Sequence, residues 1–171
     1  MRGWRRPLDV TEEFETFVRE TAPRLHRTAW LLCGDHHAAE DLVQSAYAQA
    51  FARWRRVSRA DDPVAYTRAI LVNAFRSVHR LKRSGEIPTD VTTEREARPL
   101  DPDLRLDLTA ALAALPPIDR SVVVLRYWDD LSIADTARLL DLSESAVRTR
   151  AHRTLQRLRP LVDPSYERAT P

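Results

Sequence analysis

The chain has one cysteine, one methionine and three glycines in 171 residues, and a single lysine, Lys82. These scarcities exclude several kinds of protein. Cys33 alone cannot close an internal disulfide or build a multi-cysteine metal site. Its neighbours His36 and His37 do not change this, because a structural zinc needs about four ligands; a turn at a helix end accounts for the three residues better. No glycine-rich phosphate loop and no nucleophile motif occurs, so neither a catalytic centre nor a cofactor is expected. No run approaches the ~18 apolar residues that cross a bilayer. The opening MRGWRRPLDV also lacks the apolar stretch and small-residue cleavage site of a secretory signal. The expectation is a cytoplasmic protein with no direct membrane contact. Asp61-Asp62 and Asp129-Asp130 look like paired carboxylates but read as helix starts, where acids suit the dipole.

With 43% hydrophobic and 30% charged residues, the composition is that of a globular chain. The formal net charge is only +2, but its distribution is uneven. Residues 68–83 hold Arg68, Arg76, Arg80, Lys82 and Arg83 with no acid, and residues 143–159 hold five arginines and one acid, Glu144. Between them, residues 86–107 carry seven acids and three arginines. Along its length the chain therefore reads basic, acidic, basic. Arginine in place of lysine suits bidentate phosphate and base contacts, although an arginine-favouring codon bias produces the same composition.

Few glycines and no sustained alternation of apolar and polar residues predict an all-α protein. A first helix over about 11–32 carries Phe14, Phe17, Val18, Leu25 and Leu32 at helical spacing, with Pro23 inside as a kink or division. A second, from about Ala38 to Trp54, places Leu42, Val43, Ala46, Tyr47, Ala50 and Phe51 on a broad apolar face. Asp62-Pro63, a cap followed by proline, opens a third that continues through Leu71, Phe75, Val78 and Leu81. The segment 84–100 has linker composition. Asp101-Pro102 then opens a helix through Leu104, Leu108, Leu112 and Leu115, which Pro116-Pro117 ends. Another follows from Ile118 to about Tyr127. Ser132 caps a short helix to Leu139, Asp141-Leu142 turns, and Ser143 caps the last helix. Three helices over 11–83 and four over 101–160 thus form two small domains joined by a flexible acidic linker.

The last two helices have the proportions of a helix-turn-helix. With Val147, Ala151, Leu155 and Leu158 packed inward, Arg148, Thr149, His152 and Arg153 face outward near the helix N-terminus. Arginine can donate to guanine O6 and N7, and threonine offers a hydroxyl and a methyl to a base edge. From this stretch alone, a solvated arginine-rich surface helix remains the alternative.

The segment YWDDLSIADTARLLDLSESAVRTRAHRTLQRLR resembles region 4, the promoter-reading carboxy-terminal domain of extracytoplasmic-function (ECF) sigma factors of the sigma-70 family. AEDLVQSAYAQAFARW is similar to region 2.2 of the same family, and PVAYTRAILVNAFRSVHRLKR to the segment after it. The two matches stand in the family's order, and the pattern is closest to its actinobacterial SigE-like branch. The resemblance implies a sigma factor that binds core RNA polymerase and directs promoter-specific initiation, with no enzymatic activity of its own. Its partners would be the β′ clamp helices and β flap of the polymerase, promoter DNA and, as is common in the family, an anti-sigma factor.

By position, the resemblance assigns Asp41 and Gln44, with Glu40 nearby, to the polymerase contact, and Asn73 to the opened minus-10 strand. Tyr66, Arg76 and Arg80 lie along the helix that carries Asn73. Arg148, Thr149, His152 and Arg153 would read the minus-35 duplex, with Ser143, Ser145 and Arg150 as phosphate or supporting contacts. His152 and the Pro63-Val64-Ala65 stretch depart from the more aromatic or hydrophobic residues usual there. The charge order suggests that the free domains pack through their DNA-binding faces, shielded by the acidic linker. The other readings are a conventional helix-turn-helix regulator acting without polymerase and a helical protein-interaction adaptor. Neither needs Asp41, Gln44 and Asn73 in this context, and the adaptor would not need the exposed arginines after Ser143.

Overall fold

The computed structural model describes residues 10–84 and 102–162, with side chains from Val10 to Leu81 and from Leu108 to Arg159. The linker after Ser84, the Asp101 cap and the side chains of Lys82, Arg83 and Leu104 lie outside the described residues. All described secondary structure is helical. In the first half α1 (Val10–Cys33) runs through Pro23 undivided. Its buried stripe of Thr21, Leu25, Thr28, Ala29 and Leu32 supplies packing that offsets the backbone bond a proline removes. Gly34, at φ 72°, turns the chain, and a Cβ there would stand 3.3 Å from the Ala113 Cβ. Both the dihedral and the close approach therefore require glycine.

Asp35 caps α2 (His36–Ala52) by accepting from the Ala38 N–H at 2.7 Å. Leu42, Val43, Ala46, Tyr47 and Ala50 face the core, whereas Phe51, expected beside them, is nearly half exposed. The helix stops short of Trp54 because Arg53 leaves helical geometry at φ −122°, ψ 22°, and Trp54–Val57 forms a separate turn, α3. The break lets the Trp54 ring pack 5.1 Å from Phe14 and 5.0 Å from Phe17, centroid to centroid, while its Nε1 donates to Glu13 at 3.2 Å. Asp62 caps α4 (Pro63–Ser84) through the Ala65 N–H at 2.9 Å. Leu71 and Phe75 are buried, and Val78, expected with them, is exposed.

The second half comprises α5 (Pro102–Ala113), α6 (Pro117–Val123), α7 (Ile133–Leu140) and α8 (Glu144–Val162). The helix expected over about 118–127 changes character at Val124, where Val124–Trp128 forms a π-helical turn closed by the Asp129 N–H on the Val124 carbonyl at 3.0 Å. The wider turn keeps Val124 and Leu125 in the core while Tyr127 and Trp128 stand 54% and 49% exposed. It also delivers Asp129 to the interior at 4% exposure, so Asp129 ends an element and is not a helix start. Ser132 and Ser143 cap α7 and α8 as expected, accepting from the Asp135 and Ala146 N–H groups at 3.0 and 3.1 Å.

The two halves touch. α1 packs on α5, α6 and the π turn, and α4 packs on α6 and α7. Arg148, Thr149, His152 and Arg153 are not covered by this contact, which differs from the expectation that the DNA-binding faces pack together. The buried polar groups described below explain why the contact forms where it does.

α7 ends on Asp141 in the left-handed region at φ 55°, its N–H on the Ala137 carbonyl. Asp141→Gly should raise stability by about 0.5 kcal/mol: roughly 1 kcal/mol of left-handed strain is relieved, less the entropy glycine adds to the unfolded chain. Urea unfolding measures this, and a destabilised variant would mean that the aspartate side chain itself holds the turn.

Candidate nucleic-acid interface

Ser143, Ser145, Arg148, Thr149, His152 and Arg153 are all exposed at the N-terminal half of α8, brought together as expected. Their groups are partly engaged with neighbours on the same surface. Arg148 Nη2 donates to Glu144 Oε2 at 2.8 Å, Ser143 and Ser145 hydroxyls meet at 3.0 Å, and His152 Nε2 lies 3.0 Å from Gln156 Nε2. Arg150 points elsewhere. Its Nη1 donates to Asp119 Oδ1 at 2.6 Å, which ties α8 to α6 and makes Arg150 a supporting residue. The inward face also differs from expectation at one position, since Leu155 is 38% exposed and Thr154 takes the buried place.

On α4, Tyr66, Asn73 and Arg80 recur at seven-residue intervals, which places them on one stripe, and Arg76 lies beside it. Asn73 and Arg80 are exposed and Arg76 is half-buried. Tyr66 is half-buried against the core, so its ring serves packing as well as any surface contact. On α2, Asp41 and Gln44 are exposed while Leu42 and Val43 are buried beneath them. Glu40 is half-buried and its carboxylate oxygens lie 3.3 Å from His36 Nδ1 and 3.8 Å from His37 Nδ1.

An apolar cavity of about 610 Å³ opens between α5, the π turn and α8. Leu108, Leu112, Tyr127, Trp128, Leu155 and Leu158 line it, His152 and Arg159 stand at it, and Leu31 reaches it from α1.

A buried polar cluster went unrecognised in the sequence. Thr28 Oγ1 donates to both Asp129 oxygens, at 3.0 and 3.2 Å, Arg68 Nε lies 3.5 Å from Oδ2, and Arg24 Nε lies 3.9 Å from Oδ1. Burial pushes the Asp129 carboxyl up from the ordinary range, opposed by Arg68, by the Thr28 hydroxyl and by Arg24. Burial likewise lowers Arg68, against the pull of Asp129. Arg120, also buried, donates to the carbonyls of Leu32, Ala113 and Leu115 at 2.5, 2.6 and 3.2 Å. The spacing held a signal for this cluster: Thr28 falls between Leu25 and Leu32, and Arg68 precedes Leu71 and Phe75, all at inward helical intervals.

Comparison with known proteins bears on these surfaces. Residues 17–85 match the model of Sigma-70 region 2, and residues 105–158 match that of Sigma-70, region 4. The RNA polymerase sigma-E factor of Streptomyces coelicolor is 36% identical over 155 residues, which is 86% of this chain and 84% of the relative. The ECF RNA polymerase sigma factor SigE of Mycolicibacterium smegmatis is 33% identical over 159 residues, covering 85% of this chain and 60% of the relative. The chain is an ECF sigma factor of the sigma-70 family. As such it directs transcription initiation as the promoter-recognising subunit bound to core RNA polymerase. Sigma factors are not enzymes. Among solved structures, the sigma factor RpoE of Bartonella quintana, in complex with the anti-sigma factor NepR, aligns at a TM-score of 0.70 with 25% identity, over 88% of this chain and 96% of that one. SigJ of Mycobacterium tuberculosis, at a TM-score of 0.58 and 24% identity over 94% of this chain and 55% of that one, shares the fold. Among the described residues, no helix of this sigma factor is long and apolar enough to cross a membrane.

The α7 cap that orients α8 is pH-sensitive in a defined direction. The Ser132 hydroxyl, 2.6 Å from Asp135 Oδ2, and then Arg138 hold the Asp135 carboxyl below its usual range. A depressed carboxylate contributes stability above its unfolded value, about pH 3.9, and loses it as pH falls through the folded value. The thermal midpoint gap between the native sequence and Asp135→Ala should therefore be full above about pH 4 and shrink below it. Circular dichroism melts across pH read this gap, and one that is unchanged in acid would assign the effect to helix propensity.

Proposed function

We propose that the two halves divide promoter recognition as region 2 over residues 11–83 and region 4 over 101–160, with 84–100 as the linker. In this reading α8 enters the major groove of the minus-35 element. Arg148, Thr149, His152 and Arg153 meet base edges, and Ser143 and Ser145 meet phosphate at the helix N-terminus. Asn73 takes a base of the opened minus-10 strand, its amide able to donate and accept, while Tyr66, Arg76 and Arg80 hold that strand by stacking and charge. Asp41 and Gln44 dock α2 on the β′ clamp helices, with Glu40 setting the local charge through His36 and His37.

The apolar cavity takes a helix from the β flap. Tyr127 and Trp128, each about half exposed, beside a cleft walled by leucines are what a helix-in-groove contact needs, and groups of this kind are costly to leave in water. An anti-sigma factor, the kind of partner seen with RpoE, regulates this chain by competing for surfaces that polymerase needs. The protein works in the cytoplasm, where its polymerase works. The observation that carries the reading is the outward, helix-N-terminal grouping of Arg148, Thr149, His152 and Arg153 on the second helix of a capped helix-turn-helix. A polymerase-independent regulator leaves exposed Asp41, Gln44 and Asn73 without a purpose.

Run-off transcription from fragmented genomic DNA with purified core polymerase tests the whole reading: new start sites sharing two spaced upstream elements support it, and none, with core binding also absent, overturns it. Arg148→Ala should cost roughly 1–3 kcal/mol on the preferred minus-35 sequence and little on scrambled duplex, as a bidentate guanine contact requires. Equal loss on both, measured by fluorescence anisotropy, would make Arg148 a phosphate contact. Asp41→Ala combined with Gln44→Ala should weaken core binding at least tenfold in a pull-down titration, with the helical circular dichroism unchanged. Undiminished binding would remove both residues from the interface.

A further inference from the structure

The contact between the halves includes two buried groups of opposite charge that both reach from the second half into the first. Asp129, on the π turn of the second half, is received by Thr28, Arg68 and Arg24 of the first. Arg24 Nη2 also donates to the Asp129 carbonyl at 3.5 Å. Arg120, again from the second half, donates to the Leu32 carbonyl in the last turn of α1 at 2.5 Å, where a helix leaves carbonyls without intrahelical partners. The close approach of Gly34 to Ala113 completes the seam.

This closed arrangement conflicts with the promoter geometry of the reading above, on which the present inference rests. Elements centred near minus-10 and minus-35 lie about 25 base pairs apart, or roughly 85 Å at ~3.4 Å per pair. A compact chain of 171 residues has a radius of gyration of about 16 Å, so it extends only about 40 Å. The α4 and α8 surfaces cannot occupy both elements until the halves part. We propose that Asp129, clasped by Thr28 and Arg68, is the latch of an autoinhibited closed form, and that this latch must open before the protein engages a promoter.

The chemistry suits a latch that can open. Arg68 Nε is buried with no hydrogen-bond partner, and its approach to Asp129 at 3.5 Å is an ion pair without hydrogen-bond geometry. A buried pair in imperfect geometry recovers little more than its desolvation cost. On opening, Asp129 and Arg68 regain water, so a docking partner need not supply the full value of a salt bridge. Arg24, half exposed at the rim, is positioned to follow Asp129 outward.

The test locks the latch reversibly in the full chain. Thr28→Cys with Asp129→Cys, in a Cys33→Ser background, places two thiols where side chains now touch at 3.0 Å. Run-off transcription with core polymerase is then compared before and after oxidation. The expected result is at least a tenfold loss of transcripts on oxidation and recovery on reduction. Equal transcription from the oxidised, cross-linked chain would overturn the latch; because Asp129→Cys itself removes the latch carboxylate, a pair that fails to cross-link leaves the decision to the scattering measurement that follows. The unsubstituted protein in the same assay tests the sigma reading separately: if it starts no transcripts, that reading fails, whereas an active parent with an active cross-linked variant sinks only the latch. In a second measurement, small-angle scattering of Asp129→Ala should give a radius of gyration well above the compact value of about 16 Å with helical content unchanged. A value equal to that of the parent would also overturn the proposal.

Discussion

A carboxylate at 4% exposure must be answered by cations or hydroxyls, and Asp129 is answered entirely from the other half of the chain. This requirement organises much of the second half. To turn Asp129 inward directly after a helix, the backbone takes an extra residue into a π-helical turn, and the same turn swings Tyr127 and Trp128 outward. Asp130 then adopts φ 53°, and the chain leaves toward Ser132, whose cap sets the start of α7 and so the placement of α8. One buried charge thus links the seam between the halves, the apolar cavity and the orientation of the recognition helix.

Charge on α8 is handled differently because it stays in water. Arg148 shares Glu144 on its own helix, and an exposed i,i+4 pair contributes only a few tenths of a kcal/mol. Such a pair orients the guanidinium without holding it back from a stronger acceptor. Arg150 is more firmly engaged, since Asp119 is mostly buried and bridges to another helix. Five arginines close in sequence therefore do not have five equivalent roles, and the partner of each side chain separates those free to read DNA from those that brace the domain.

The elements legible in the sequence were those whose signals are local. Asp62-Pro63, Ser132 and Ser143 announce helix starts through chemistry contained within four residues, and each caps as expected. The recognition stripe follows from 3.6-residue periodicity, with one exception at residues 154 and 155. There the cavity leaves Leu155 partly uncovered and Thr154 fits the closer contact, a preference set by neighbouring helices and not by the spacing on α8. The break at Arg53 has the same origin. Nothing local stops α2, but Trp54 gains the aromatic cluster of Phe14 and Phe17 only if the helix ends first. Asp129 was the costliest misreading, because its partners lie 101 residues away at Thr28 and 61 away at Arg68, beyond the reach of any window pattern.

The cavity and the seam share a boundary, which constrains how partners act on the protein. Leu31 of α1 lines the cavity otherwise built from α5, the π turn and α8. A ligand that packs on Leu31 as well as on Tyr127 and Trp128 bridges both halves and must favour the closed chain by its added contact. A ligand that uses only the second-half walls, or needs the space Leu31 occupies, binds the open chain better and shifts the population toward it. Only differential affinity for the two states can move their balance, so the reach of a partner toward α1, more than its total affinity, decides whether it restrains the chain or releases it.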